Sequence, residues 1–165
     1  DMTTACFDSC EDCIDYAAAL QGSWSPIGMG VGPNRGDEGW WSYPRDGSRG
    51  CWEDDVFEFK ADGTFTIDLG ADTWLEGWQG VASEGCGAPV APHVSADHTY
   101  SFNASAMELT VNGDGAYVVL AKAHNSGEDG NSGGSIMYHV TSVTETEMIL
   151  DLNYGNWWRL YLKKN

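Results

Sequence analysis

Apolar and polar residues alternate most regularly over residues 55–69, where Phe57 and Phe59, then Phe65, Ile67 and Leu69, are spaced two apart on either side of Ala61-Asp62-Gly63. A period of two describes strands with one buried face, so this segment is predicted to be a β-hairpin. A three-residue loop with Gly63 in the left-handed region sets Phe59 opposite Phe65 and Phe57 opposite Ile67 on one face. A two-residue Asp-Gly turn would instead oppose Phe59 and Thr66, so the three-residue loop is expected. The chain's end repeats the pattern. A loop around Tyr154-Gly155-Asn156 places Leu152 opposite Trp158, Leu150 opposite Leu160 and Met148 opposite Leu162, with Trp157, Arg159 and Tyr161 on the other face. Further strands are predicted at 99–102, 107–112, 116–122 and 135–143, bounded by Gly, Asn, Asp and Ser turn residues. The fold class is therefore all-β, with about eight antiparallel strands. Patterning allows either an up-and-down barrel or a β-sandwich. Residues 6–20 read as a short helix capped near Asp8 or Ser9, giving an N-terminal leader over 1–19 and one β-rich domain over 20–165. Residues 70–97 are too long and irregular for a mere connection, and function is expected there.

Composition narrows the partners. The chain has 25 acidic and 8 basic residues, a formal net charge of -17, so nucleic acid and anionic lipid surfaces would be repelled. Sulfated or uronic-acid polymers are disfavoured on the same ground, whereas a neutral glycan is compatible. No run approaches the length of a membrane-spanning helix, and no initiator Met with a signal sequence opens the chain, which reads as a mature or excised part of a larger secreted or surface-anchored protein. Five cysteines leave at least one without an intramolecular partner. Cys51 and Cys86 flank aromatic-rich segments with no other thiol nearby and are expected to form a disulfide, which implies an oxidising compartment, as for a secreted or cell-surface protein. Cys6, Cys10 and Cys13 have a spacing used for iron-sulfur clusters in radical enzymes. The large α/β barrel of those enzymes is absent, and local disulfide chemistry is the better reading.

Eight Trp, seven Tyr and five Phe raise the question of a recognition surface. Sugar rings stack their C–H faces on aromatic side chains while carboxylates and amides hold their hydroxyls. Thr73-Trp74-Leu75-Glu76-Gly77-Trp78-Gln79 supplies both kinds of group. Trp74 and Trp78, four apart, share a side in either a helical turn or a strand, and Glu76 joins them only in a strand. The alternative is that both rings roof the core. Of the pairs Trp40-Trp41 and Trp157-Trp158, strand phase turns Trp158 inward and Trp157 outward; for the first pair a turn-rich context leaves both rings free to reach the rim. Glu53, Asp55 and Glu58 match the ExDxxE spacing of retaining glucanases. The chain is too short for their catalytic sandwich, and a solvated acidic strand entry is preferred. His93, His98, His124 and His139 show no metal-ligand spacing. Asn112-Gly-Asp114-Gly and Glu128-Asp-Gly-Asn131 are compatible with a structural calcium ion, without fitting an EF-hand. No cofactor is expected.

Several motifs occur in order: Trp41-Ser42; Cys51-Trp-Glu-Asp54-Asp55-Val-Phe57-Glu-Phe59-Lys-Ala-Asp62-Gly63-Thr-Phe65; Gly70-Ala-Asp-Thr73-Trp74-Leu-Glu-Gly-Trp78-Gln79-Gly80; Glu84-Gly-Cys86-Gly-Ala-Pro89-Val-Ala-Pro92-His93; Gly115-Ala-Tyr117-Val-Val-Leu120; and Tyr154-Gly-Asn-Trp157-Trp158-Arg159. Together they resemble carbohydrate-binding modules appended to secreted bacterial glucan-degrading enzymes and surface glycan-binding proteins. That resemblance implies non-catalytic binding of a neutral polysaccharide, a β-1,3-glucan such as laminarin. The candidate contact set, read from the residues themselves, is Trp74, Trp78 and Trp157 for stacking and Glu76, Gln79 and Arg159 for polar contacts, with Trp41, Tyr161 and His93 beside them. A weaker likeness runs through Leu20-Gln-Gly-Ser-Trp24 and Phe59-Lys-Ala-Asp62-Gly63-Thr-Phe65, which resemble the opening of lipocalin-like barrels, where a Gly-x-Trp strand closes one end. Two alternatives follow: a glycoside hydrolase using Glu53 and Glu58, or a lipocalin-like carrier of a small apolar ligand.

Overall fold

The structure is a computed structural model that describes residues 14–129 and 133–165. Eight strands form its frame: β1 (Gly22–Gly32), β2 (Val56–Phe59), β3 (Thr64–Asp68), β4 (Ala96–Asn103), β5 (Glu108–Asn112), β6 (Ser135–Val143), β7 (Glu147–Asn153) and β8 (Trp157–Lys164). Each pairs antiparallel with the next, and β8 returns to β1, from Trp24 opposite Lys164 to Gly32 opposite Trp157. The sheet thus closes on itself as an up-and-down barrel, the arrangement found in lipocalins, and leaves no long free edge. Sandwich packing is excluded.

Both register predictions hold. Phe57 faces Ile67 and Phe59 faces Phe65 across β2 and β3, while Leu152, Leu150 and Met148 face Trp158, Leu160 and Leu162 across β7 and β8. Their inward side chains are buried in one core, and Phe59 and Phe65 stack at 4.9 Å. Gly63 adopts φ +90, as the three-residue loop requires.

Two expectations are corrected. Residues 116–122 are not a strand. Ala116 through Leu120 are all buried, which a strand with one solvated face does not permit, and the segment crosses one end of the barrel as a plug. The Val118 amide donates to the Tyr138 hydroxyl at 2.9 Å, and the Trp52 indole donates to the Val119 carbonyl at 2.8 Å, so the irregular backbone is satisfied inside the protein. The helical leader, within the described residues, is only Tyr16–Leu20, and its cap is Asp15, whose carboxylate accepts from the Ala18 amide. The proposed caps Asp8 and Ser9, with Cys6, Cys10 and Cys13, lie outside the described residues.

The longest strand, β1, has no clear hydrophobic signature because its outward positions are Gly28, Gly30 and Gly32, opposite Tyr161, Arg159 and Trp157. The chain folds back over them. A Cβ at Gly28 would fall 2.6 Å from the Arg45 guanidinium, one at Gly30 would fall inside the Glu38 side chain, and one at Gly32 would lie 2.5 Å from the Asp37 carbonyl. The glycines are therefore a track for residues 33–45, a segment that returns to pair Trp41–Ser42 with Gly30 and Val31.

Strand direction sorts the connections. The short turns after β2, β4 and β6 share one end, which Trp24 and Leu20 fill; the Trp24 indole donates to the Leu20 carbonyl at 2.8 Å. The three long connections, 33–55, 69–95 and 113–134, share the opposite end, together with the β7–β8 turn. One end of the barrel is closed by packing, and the other is built from loops.

Candidate functional site

At the loop end lies a cleft of about 370 Å³. Its floor is Met29 and Val31 of β1 with Leu120 of the plug, and its aromatic wall is Trp40, Trp41, Trp158 and Tyr154. Two cations, Arg49 and Lys122, and three carboxylates, Glu76, Glu84 and Glu128, complete the lining. Trp40 and Trp41 are 57% and 39% exposed, the largest aromatic surfaces the described residues offer to solvent. Trp41 meets Trp158 edge to face at 6.2 Å.

Each wall is held from outside the cleft. The segment carrying Trp40 and Trp41 is stitched to the outer barrel surface. Tyr161 donates its hydroxyl to Glu38 at 2.8 Å, the Arg45 guanidinium lies 4.8 Å over the Tyr161 ring, and Arg35 pairs with Asp151 at 2.9 Å. Asp151 is fully buried and also receives both Arg159 donors, at 2.8 and 2.9 Å, and the Thr141 hydroxyl. Burial alone would push its carboxyl up; the hydrogen bonds from Arg159, Thr141 and Arg35 hold it below the usual carboxylate range.

The opposite wall is a flap, the hairpin of Thr73–Leu75 and Gly85–Gly87 with the 3-10 turn Gly77–Gln79 between them. The expected Cys51–Cys86 disulfide is present and ties this flap to the short helix Gly50–Glu53. Beneath it, Asp55 is 1% exposed, accepts from the Thr73 hydroxyl at 2.6 Å, and has one oxygen without a partner among the described residues. Burial raises its carboxyl to about 8 against the Thr73 hydrogen bond, with repulsion from Asp54, Asp72 and Asp68 adding to the rise.

Arg49 links the two walls. Its guanidinium lies 4.3 Å from the Trp74 ring and 5.3 Å from the Trp41 ring, and burial lowers its pKa against the stabilising fields of Glu76 and Glu84. Lys122 stands 5.3 Å over Trp158 and 3.7 Å from Glu128, whose carboxylate also accepts from the Trp158 indole at 2.6 Å.

Of the residues singled out from sequence, the structure brings Trp41 and Glu76 into the cleft. Trp74 and Trp78 do not form a common exposed platform. Trp74 is half-buried against the core with its indole nitrogen unpartnered among the described residues, and Trp78 packs edge to face on His93 at 5.4 Å. Gln79 and Glu76 close a capping box around the 3-10 turn, and Glu76 also accepts from the Trp78 indole at 3.0 Å. His93 is buried between Trp78 and Tyr117. Trp157, Arg159 and Tyr161 face outward as predicted, where Trp157 is covered by Arg35 at 5.7 Å, Tyr161 bonds Glu38 of residues 33–45, and Arg159 bonds Asp151, which in turn holds Arg35. The ExDxxE carboxylates do not converge: Glu53 accepts from the Tyr43 hydroxyl at 2.5 Å, Asp55 is buried under Thr73, and Glu58 points outward beside Lys60. Sequence reasoning missed Arg49, Glu84, Lys122 and Tyr154 as site residues. They come from separate loops, and only the Trp40-Trp41 doublet signals the place locally.

No protein-family profile matches this chain, and no curated protein matches it. Among solved structures it is similar to a lipocalin-like protein from Bacteroides uniformis ATCC 8492, with 13% identity, a TM-score of 0.48, and coverage of 89% of this chain and 99% of that one. It is also similar to an uncharacterized protein from Bacteroides eggerthii DSM 20697, with 11% identity, a TM-score of 0.47, and coverage of 88% and 99%. The resemblance to carbohydrate-binding modules drawn from motif order finds no support in these comparisons. No helix among the described residues is long and apolar enough to cross a membrane, and the disulfide is compatible with an extracellular setting.

Proposed function

We propose that this chain is a ligand-binding barrel that holds one small molecule at its loop end, in the manner of a lipocalin whose site has moved to the mouth. The observation that carries the reading is the aromatic cleft of about 370 Å³ where all the long loops meet. Its volume falls in the range of small-molecule sites, roughly 300–1,000 Å³, and it combines an apolar wall with a few placed polar groups. An eight-stranded barrel is just wide enough for its own side chains or one small ligand. Here one continuous core of aromatic and aliphatic side chains occupies the interior, so a deeply buried apolar ligand has no place, and the mouth remains.

Trp41 contributes a half-exposed face to this cleft and is not part of the core. Trp41→Ala should therefore leave the thermal unfolding temperature nearly unchanged and weaken ligand binding by about tenfold or more. Fluorescence titration with N-phenyl-1-naphthylamine and with neutral disaccharides measures this. Equal affinity of variant and native chain for every probe that binds would place the site elsewhere.

A further inference from the structure

The polar groups of the cleft are not equally available. Glu76 is committed to the capping box and the Trp78 indole, and Glu128 to the Trp158 indole and Lys122. Of the charged groups, two are left. The Arg49 guanidinium is flanked by the Trp41 and Trp74 rings and makes no hydrogen bond or ion pair among the described residues, and exposed Glu84 likewise has none. Glu84 lies close enough to act on Arg49 through its field. Arg49 therefore keeps guanidinium N–H donors in the cleft that no acceptor among the described residues takes.

Arg49 can only donate, and ionised Glu84 can only accept. We infer that the cleft takes an uncharged polyhydroxylated ring compound, one or two saccharide units in size, with Arg49 and Glu84 holding adjacent hydroxyls while the exposed Trp40 and Trp41 supply the stacking faces. This inference rests on the mouth cleft being the ligand site. A hydroxyl both donates and accepts, so a neighbouring pair satisfies both residues at once. A carboxylate would satisfy Arg49 but meet Glu84 and Glu76 in a chain of net charge -17. An amine would satisfy Glu84 but meet Arg49 and Lys122. A purely apolar ligand would cover Arg49 and strip its water without replacing it. A zwitterion matches both signs but must surrender the hydration of two ions. The uncharged polyol carries none of these costs, and its C–H face suits an indole.

The experiment is a calorimetric titration of the full chain with a panel of neutral mono- and disaccharides, with phenylalanine as the zwitterion and N-phenyl-1-naphthylamine as the apolar probe. It is repeated on Glu84→Ala and Arg49→Lys. The expected result is saccharide binding that falls about tenfold in Glu84→Ala, a surface substitution that does not disturb folding, and that falls also in Arg49→Lys, which keeps the charge but loses the planar fork. In Glu84→Ala the saccharide affinity should fall by a larger factor than that of the apolar probe, which has no hydroxyl for a carboxylate to hold. Probe binding at Trp41 without saccharide binding would overturn the inference and leave the mouth site standing, as would binding of phenylalanine alone. Saccharide binding indifferent to both substitutions would also overturn it. Binding of nothing in the panel would defeat both the inference and the mouth site.

Discussion

From about pH 4 to about pH 9 the native chain is expected to lose up to about 5 kcal/mol of stability at one residue, and Asp55→Asn should abolish that loss. Asp55 sits under the flap with Thr73 as its only hydrogen-bond partner among the described residues, and its carboxyl is raised from 3.8 to about 8. The native state therefore keeps its proton to about pH 8, while the unfolded chain releases it near the ordinary carboxylate value. Stability from this group is fully present below about pH 4 and is lost as the pH rises through 8. Asparagine can accept the same Thr73 hydrogen bond and stays neutral throughout. Urea denaturation of both chains across this range would show the native midpoint falling relative to the variant. Parallel pH profiles would mean that Asp55 ionises normally in the folded protein.

The second large effect is expected at the disulfide. Cys51 and Cys86 are 35 residues apart in sequence. Opening a loop of that size should cost about 3–4 kcal/mol on a chain-entropy account, or about 10 °C in unfolding temperature for a domain of this size. The double variant Cys51→Ala/Cys86→Ala would also free the flap that carries Glu76 and Glu84, so ligand affinity should fall together with stability. Calorimetry checks the first effect and titration the second. An unchanged unfolding temperature would show that the flap is held by its packing on Trp52 and Arg49 instead.

The strand pairs could be read from the chain where one face was clearly apolar. Phe57, Phe59, Phe65 and Ile67 determine one register, and Met148, Leu150 and Leu152 against Trp158, Leu160 and Leu162 determine another, because a slip by one residue would turn every side chain to the wrong face. The same reasoning missed β1, whose outer face is glycine so that residues 33–45 can lie on it. It also misread residues 116–122, where Ala116 through Leu120 are all buried as a plug. Barrel closure depends on β1 meeting β8, a contact between the two ends of the domain that no local pattern encodes. The site was legible only in part. Trp41 and Glu76 were found by residue type, but Arg49 and Glu84 acquire meaning only when separate loops converge, and Trp74 and Trp78 prove to be occupied by packing.

The indole N–H signals of the eight tryptophans give the most direct test of ligand binding at the barrel mouth. In a proton–nitrogen correlation spectrum recorded during titration with a bound saccharide or apolar probe, Trp40, Trp41 and Trp158 should shift, while Trp24 at the closed end and Trp157 on the outer face stay in place. Shifts confined to Trp24 or Trp157, with Trp40, Trp41 and Trp158 unmoved, would contradict the account.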